Sequence, residues 1–242
     1  MRARSALVVG VGGLGSPAAL VLARAGVRLT LLDDDRVEAS NLHRQILFGD
    51  GDVGAPKLAR AAARLRAEGA EVRVVEGRLV PSNALERVAG HDVVVEGADN
   101  LATKFLTADA CAIAGVPAVQ AGAVRWNGWA LASLPGASAC ARCVFEDIPR
   151  GRVETCAVAG IVGPVVGVLG ALEGALALRV LGGDRSAGGE LWSYRGLEGA
   201  LRRSHVRPRP GCPTCEGRIG ELTAERYTAG LAALPLPSPG AR

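Results

Sequence analysis

A strand-like run, Ala6-Leu7-Val8-Val9, is followed at once by Gly10-Val11-Gly12-Gly13-Leu14-Gly15 and then by helix-forming residues as far as Ala25. Glycines at this spacing, between a strand and a helix, allow a tight turn, close approach of backbone N–H groups to an anion, and close helix–strand packing. The helix N-terminus adds its partial positive charge at the same point. The segment therefore opens a βαβ unit, which commits the chain to a sheet with parallel strands. A second strand, Val27 to Leu32, ends on Asp33, 23 positions beyond Gly10, where a carboxylate can accept ribose hydroxyls. Gly10, Gly12, Gly13, Gly15 and Asp33 together point to an adenine nucleotide, without choosing between NAD and ATP. A glycine-rich turn that binds nothing is the competing reading.

The alternation continues. Helix from Ala55 to about Glu68, strand Glu71 to Val75, short helix Asn83 to Val88 and strand Val93 to Glu96 lead to Gly97-Ala98-Asp99-Asn100. Helix Lys104 to Ala114 and strand Ala118 to Ala121 follow. Strands that are apolar throughout, joined by helices, predict a doubly wound, Rossmann-like α/β sheet covered on both faces. Beyond Trp129 the pattern changes to a strand Ala130 to Leu134, a polar crossover Pro135 to Ala157, a helix Gly163 to Leu181, and strands near Glu190 to Tyr194 and Ala200 to His205. This C-terminal part predicts an antiparallel elaboration. With 242 residues, no clean linker and no repeat, residues 1–220 read as one domain and residues 221–242 as a C-terminal tail.

Composition narrows the partners. Aromatics are only 3% of residues, too few for base-stacking platforms, so nucleic acid is not the expected partner. The apolar start after Met1-Arg2-Ala3-Arg4 is broken by glycines and Pro17, unlike a signal peptide. Ala157 to Leu172 is uncharged but shorter than the ~20 residues of a membrane span, and reads as a core helix with its entry loop. The expected compartment is the cytoplasm, with no membrane contact. There, six cysteines are better read as ligands or reactive thiols than as disulfides.

Their spacing is informative. Cys140-Ala141-Arg142-Cys143 and Cys212-Pro213-Thr214-Cys215 are two CxxC pairs, and four thiolates make a closed tetrahedral zinc site with no open position, hence structural. Two redox dithiols, or unligated cysteines, are the alternatives. Cys111 reads as a small buried hydrophobe. Cys156 follows a loop with Arg150 and Arg152, whose charges favour a thiolate; on spacing alone it is equally a nucleophile or a structural cysteine. Arg44 and Lys57 can bind phosphate or be solvated, and Asp99 can hold Mg²⁺ or serve with Asn100 as a turn and cap pair. The histidines show no metal or triad spacing.

The ordered set resembles the ThiF/MoeB/HesA family of adenylyltransferases, relatives of ubiquitin-activating enzymes, from about Ala6 to Gly217. It comprises Val9 to Ser16, Leu31 to Asp35 leading to Ser40-Asn41-Leu42-His43-Arg44-Gln45, Gly54-Ala55-Pro56-Lys57, Ala98-Asp99-Asn100, the CxxC pairs, and Cys156 to Pro164. The resemblance implies ATP·Mg-dependent adenylation of the C-terminal glycine of a ThiS-like or MoaD-like ubiquitin-like sulfur carrier, in a thiamine or molybdopterin setting. It places the glycine loop and Asp33 on the nucleotide, Asn41, Arg44 and Lys57 on the phosphates, and Asp99, beside Asn100, on Mg²⁺. In the ThiF-like branch Cys156 takes part in sulfur transfer, with a donor such as a cysteine desulfurase. It also implies a homodimer. Two departures stand out: only Met1 to Ser5 precede the first strand, where family members carry a helix with an arginine that reaches the neighbouring subunit's site, and Lys104 replaces an arginine beyond the Asp-Asn pair. Competing readings are a nicotinamide-dependent oxidoreductase, a nucleotide-binding module without turnover, and an ATP-dependent modifier of tRNA.

Overall fold

The computed structural model describes residues 4–148 and 159–228. Its strands are β1 (Ser5–Val9), β2 (Arg28–Asp33), β3 (Val72–Glu76), β4 (Val93–Glu96), β5 (Ala118–Val124), β6 (Asn127–Ser133), β7 (Glu190–Arg195) and β8 (Ala200–His205). They form one sheet in the order β3-β2-β1-β4-β5-β6-β7-β8. Pairs from β3 to β5 are parallel and those from β5 to β8 antiparallel, as the change of pattern near Trp129 predicts.

Helices α1 (Gly15–Arg24), α2 (Lys57–Ala67) and a long α6 (Gly163–Leu181) cover one face, while α3 (Ala84–Val88) and α4 (Leu101–Ala114) cover the other. Successive residues of a strand point to opposite faces. In β1, Ala6 and Val8 enter the core beneath α1 and α6, while Leu7 and Val9 enter that beneath α4. A strand buried on both sides has no polar alternation to show, which is why it reads as a plain apolar run.

Helix α6 is the one described helix long and apolar enough to cross a membrane. Here it lies against α1, β4, β5 and β6. Gly170 and Gly174 let it approach α1: a Cβ on Gly170 would stand 2.4 Å from the Leu14 carbonyl oxygen, and one on Gly174 2.9 Å from Cβ of Val21.

The structure moves several boundaries. β5 and β6 are longer than expected because they form a tight hairpin, with Val124 opposite Asn127 and Arg125 at φ 54 in the turn. Non-glycine residues rarely adopt that conformation, so the turn carries no glycine signal. α4 begins at Leu101 rather than Lys104 because the Asn100 side chain caps the Thr103 N–H at 2.8 Å. The crossover contains a short helix, α5 (Ala141–Phe145). Beyond residue 220 the chain is still packed: Leu222 lies on the α4-side core, and Tyr227 of α7 (Ala224–Thr228) is 3% exposed. The proposed tail thus begins inside the folded unit.

The core also holds Glu173, in the middle of α6, fully buried and without a well-formed hydrogen bond to either carboxylate oxygen among the described residues. Burial and the nearby Glu96 charge raise its pKa well above the ordinary 4.5, and they prevail over Lys104 and the Glu96 backbone, which favour the ionised form. A carboxyl held neutral in the fold but ionised in the unfolded chain contributes stability fully below the unfolded pKa and loses it as pH rises toward the folded one. Glu173→Gln, which removes this proton linkage, is expected to raise the melting temperature at pH 8, with the gain shrinking at pH 5. Calorimetry at both values checks this; an equal or lower melting temperature for the variant at pH 8 contradicts it.

Candidate functional site

β1 leads on one side to β2 and β3, and on the other to β4 and the rest of the sheet. At such a switch point the loops leaving neighbouring strands diverge and open a crevice at their carboxyl ends. The glycine loop follows β1, and the 97–100 loop follows β4. They meet backbone to backbone: a Cβ on Gly97 would lie 2.7 Å from the Gly15 nitrogen, and one on Gly10 3.3 Å from the Ala98 nitrogen, while within the glycine loop one on Gly15 would lie only 1.9 Å from the Gly10 oxygen. Gly10 itself has φ +82. Gly12 differs, since its nearest neighbour would be Nε2 of Gln45 at 3.7 Å. Gly10, Gly15 and Gly97 are therefore required by packing, whereas Gly12 leaves its backbone open to approach.

Asp33 ends β2 and is nearly buried. It locks the loop: Oδ2 accepts the Val11 N–H at 2.7 Å and Oδ1 the Asp35 N–H at 2.8 Å. Each carboxylate oxygen retains acceptor capacity for a ligand hydroxyl. Lys57, at the first turn of α2, is 4% exposed, and its ammonium pairs with Asp35 at 2.8 Å. The acidic run at 33–35 is thereby offset, because Arg78 also pairs with Asp34 at 2.7 Å.

The segment Asn41–Gln45 lies against the glycine loop, with Gln45 next to Gly12 and Arg44 next to Gly13. Arg44 donates to the Asn41 side-chain oxygen in a very short contact and to the Ser40 carbonyl at 3.2 Å. Its aliphatic stem lies 3.5 Å from where a Cβ on Gly13 would be. Gly163, at the start of α6, has no room for a side chain because the His43 carbonyl oxygen would lie at 2.3 Å. Gly12, Gly13, Arg44, Gln45 and the start of α6 are thus brought together. Asp99 and Asn100 are exposed on the adjoining loop, where Asn100 is occupied as a helix cap. Cys156 lies outside the described residues.

Lys104 stands elsewhere. It is buried, paired with Glu96 at 3.1 Å, bonded very closely to the Ala121 carbonyl, and set 5.7 Å from the Trp129 ring centroid. Gln120 joins Glu96 at 3.2 Å. The cation that follows the Asp-Asn pair therefore serves the core. Gln45 is a residue that sequence reasoning quoted without a role. It is 4% exposed beside Gly12, with its amide oxygen unpartnered among the described residues, and its only sequence signal is its place next to Arg44.

The CxxC pairs, far apart in sequence, converge. Cys140 Sγ lies 4.0 Å from Cys143, 3.7 Å from Cys212 and 3.5 Å from Cys215, and Cys143 lies 3.4 Å from Cys215. Zinc–sulfur bonds of about 2.3 Å in a tetrahedron require sulfur separations of about 3.8 Å. The cluster fits zinc. Cys111 is apart from it in α4, 1% exposed, its thiol pKa raised by burial.

Fold and crevice define the class: an open α/β protein with an anion-type glycine loop at its topological switch point. The chain belongs to the ThiF family, whose model matches residues 1–214. It is 38% identical over 232 residues to the SAMP-activating enzyme E1 of Haloferax volcanii, covering 93% of this chain and 86% of that protein. It is 39% identical over 215 residues to the sulfur carrier protein ThiS adenylyltransferase of Escherichia coli, with coverages of 87% and 85%. Identity to adenylyltransferase and sulfurtransferase MOCS3 of Sus scrofa is 43% over 220 residues, 88% of this chain; the chain spans about half of that protein, 48%. The crystal structure of E. coli MccB with MccA-N7isoASN superposes with a TM-score of 0.75 at 23% identity, over 88% of this chain and 67% of that one, a likeness of fold.

Burial and the charges of Cys212 and Cys143 push the Cys140 thiol up to about 12. A metal must therefore displace protons to bind, and its affinity must rise with pH. Chelator competition between pH 6 and 8 is expected to show zinc held progressively more tightly as pH increases; affinity independent of pH contradicts a thiol cluster of this kind.

Proposed function

We propose that this protein adenylates the C-terminal glycine carboxylate of a ubiquitin-like sulfur carrier with ATP, releasing pyrophosphate. The observation that carries the reading is the glycine loop at the β1/β4 switch point, with Arg44 held by Asn41 beside it and Lys57 held by Asp35, next to the Asp33 that accepts from the loop. Such a crevice suits a triphosphate: backbone N–H groups and the α1 N-terminus face anions, and two cations are held in place before any ligand arrives.

The chemistry demands these groups. A carrier carboxylate is already ionised at neutral pH, so no general base is needed to activate it. Its oxygen attacks the α-phosphorus, a new O–P bond forms, and the bond to the pyrophosphate oxygen breaks. The difficulty is the approach of two anions. Arg44, oriented by Asn41, and Lys57, oriented by Asp35, offset that repulsion and stabilise the extra charge of the transition state. Asp33 accepts ribose hydroxyls with the lone pairs left over from Val11 and Asp35. Asp99 would supply an oxygen ligand for Mg²⁺, which would neutralise phosphate charge when bound, beside Asn100, whose side-chain oxygen caps α4. Cys140, Cys143, Cys212 and Cys215 hold a structural zinc, since four thiolates leave no open position.

The acyl-adenylate is then open to a sulfur nucleophile, which attacks the acyl carbon and expels AMP. Cys156 is the thiol of this chain assigned to that transfer, with a cysteine desulfurase as the source of sulfur. A homodimer in the cytoplasm completes the reading.

Carrier-dependent exchange of labelled pyrophosphate into ATP tests it. With Mg²⁺ and a carrier ending in Gly-Gly, exchange is expected in the wild type and should fall on the order of 10²–10³-fold in Arg44→Ala or Lys57→Ala. Saturable NADH binding without exchange, or exchange untouched by both substitutions, contradicts the proposal.

A further inference from the structure

The cysteine cluster does not hang on the sheet by its loops alone. Asp109 lies in α4, fully buried. Its Oδ1 accepts from Thr214 Oγ1 at 2.5 Å and from Arg142 Nε at 3.1 Å; its Oδ2 accepts from Arg142 Nη2 at 2.9 Å and from the Tyr227 hydroxyl at 2.9 Å. Arg142 and Thr214 occupy the same place in the two motifs, the third position of Cys-Ala-Arg-Cys and of Cys-Pro-Thr-Cys. One carboxylate therefore grips both knuckles through equivalent residues.

The grip is rigid. Burial opposes the charge on Arg142, but Asp109 and Asp147 more than restore it, and the guanidinium carbon sits 4.7 Å from the Phe105 ring centroid. Arg142 also donates to Asp147 at 2.7 Å, and its carbonyl accepts from Arg209 at 3.3 Å. Removing one partner of such a buried pair leaves the other charge uncompensated, so the knuckles cannot let go independently.

We infer that Asp109 is a positioning residue for the metal site, joining the two CxxC knuckles through Arg142 and Thr214 so that the four thiols are gathered on α4 before metal binds. Bringing together loops 68 residues apart costs chain entropy that an unassembled site would have to offset at the moment of metal binding. A pre-gathered site spares the metal that cost. Asp109 thereby links metal retention to the helix that starts at the crevice loop. The inference rests on the cluster holding zinc, so the zinc content of the purified wild-type chain is measured first; a wild type that binds none overturns both statements together.

With zinc present, competition against a chromophoric chelator is run on full-length Asp109→Asn, Thr214→Val and Tyr227→Phe. Asp109→Asn and Thr214→Val are expected to lose about 10–100-fold in zinc affinity, the size typical of second-layer contacts to metal ligands. Their cobalt-loaded forms should keep the absorption of a tetrahedral four-thiolate centre. Tyr227→Phe removes a hydrogen bond to the same carboxylate outside both knuckles and should stay within a few-fold of wild type. Wild-type affinity in Asp109→Asn overturns the inference, as does a loss in Tyr227→Phe equal to that in Thr214→Val, which would reduce Asp109 to a general packing contact. If Asp109→Asn does not fold, the comparison of Thr214→Val with Tyr227→Phe decides on its own.

Discussion

The structure depends on a contact in which side chains are forbidden. The turn after β1 folds so tightly on itself that a Cβ on Gly15 would meet the Gly10 oxygen at 1.9 Å, and the loop after β4 approaches it so closely that one on Gly97 would meet the Gly15 nitrogen at 2.7 Å. That approach seats the N-terminus of α1 over the switch point and sets the crevice width. α6 is seated by the same logic, with Gly170 against the Leu14 carbonyl at the far side of the loop. A glycine pattern usually read as a ligand signature is thus first a packing requirement, and Gly12 is the position that the packing leaves open.

Much of this was legible in the sequence because its signals are local. Val93–Glu96 and Gly163–Leu181 have the bounds the pattern predicts, since they are apolar runs ended by Gly97 and Gly182. The cysteine cluster was legible for a different reason: CxxC spacing makes each pair a preformed half of a tetrahedron. The β5–β6 hairpin was not. Its turn uses Arg125 at positive φ, where a glycine or asparagine would have announced it, and Gly128 inside β6 reads as an interruption although its place is taken by close contact with Leu169 and the Gly122 oxygen.

The charged residues of the interior were the least legible. Glu96, Lys104 and Gln120 come from β4, α4 and β5 to form one buried group, and burial, opposed by Lys104, raises the pKa of Glu96. Asp109 and Glu173 are single acids in otherwise apolar helical runs, and nothing in the periodicity says what faces them. Their partners lie 33 to 118 residues away for Asp109, so only the fold identifies them. In the sequence Lys104 stands out only as a replacement for the family's arginine beyond the Asp-Asn pair. In the fold it is a buried partner of Glu96 and the Ala121 carbonyl.

The central claim is that the crevice at the switch point, framed by this glycine packing, is a triphosphate site. Gly12 gives the cleanest access to it, because an added methyl there meets nothing in the protein closer than Gln45 Nε2 at 3.7 Å and its φ is not left-handed. Isothermal titration of ATP·Mg into wild type and Gly12→Ala, with the melting temperature and zinc content measured on the same samples, tests the claim. The account predicts saturable ATP binding to the wild type, lost or greatly weakened in a variant that melts like the wild type and keeps its zinc. ATP binding undiminished in Gly12→Ala, or a wild type that prefers NADH to ATP, would contradict it.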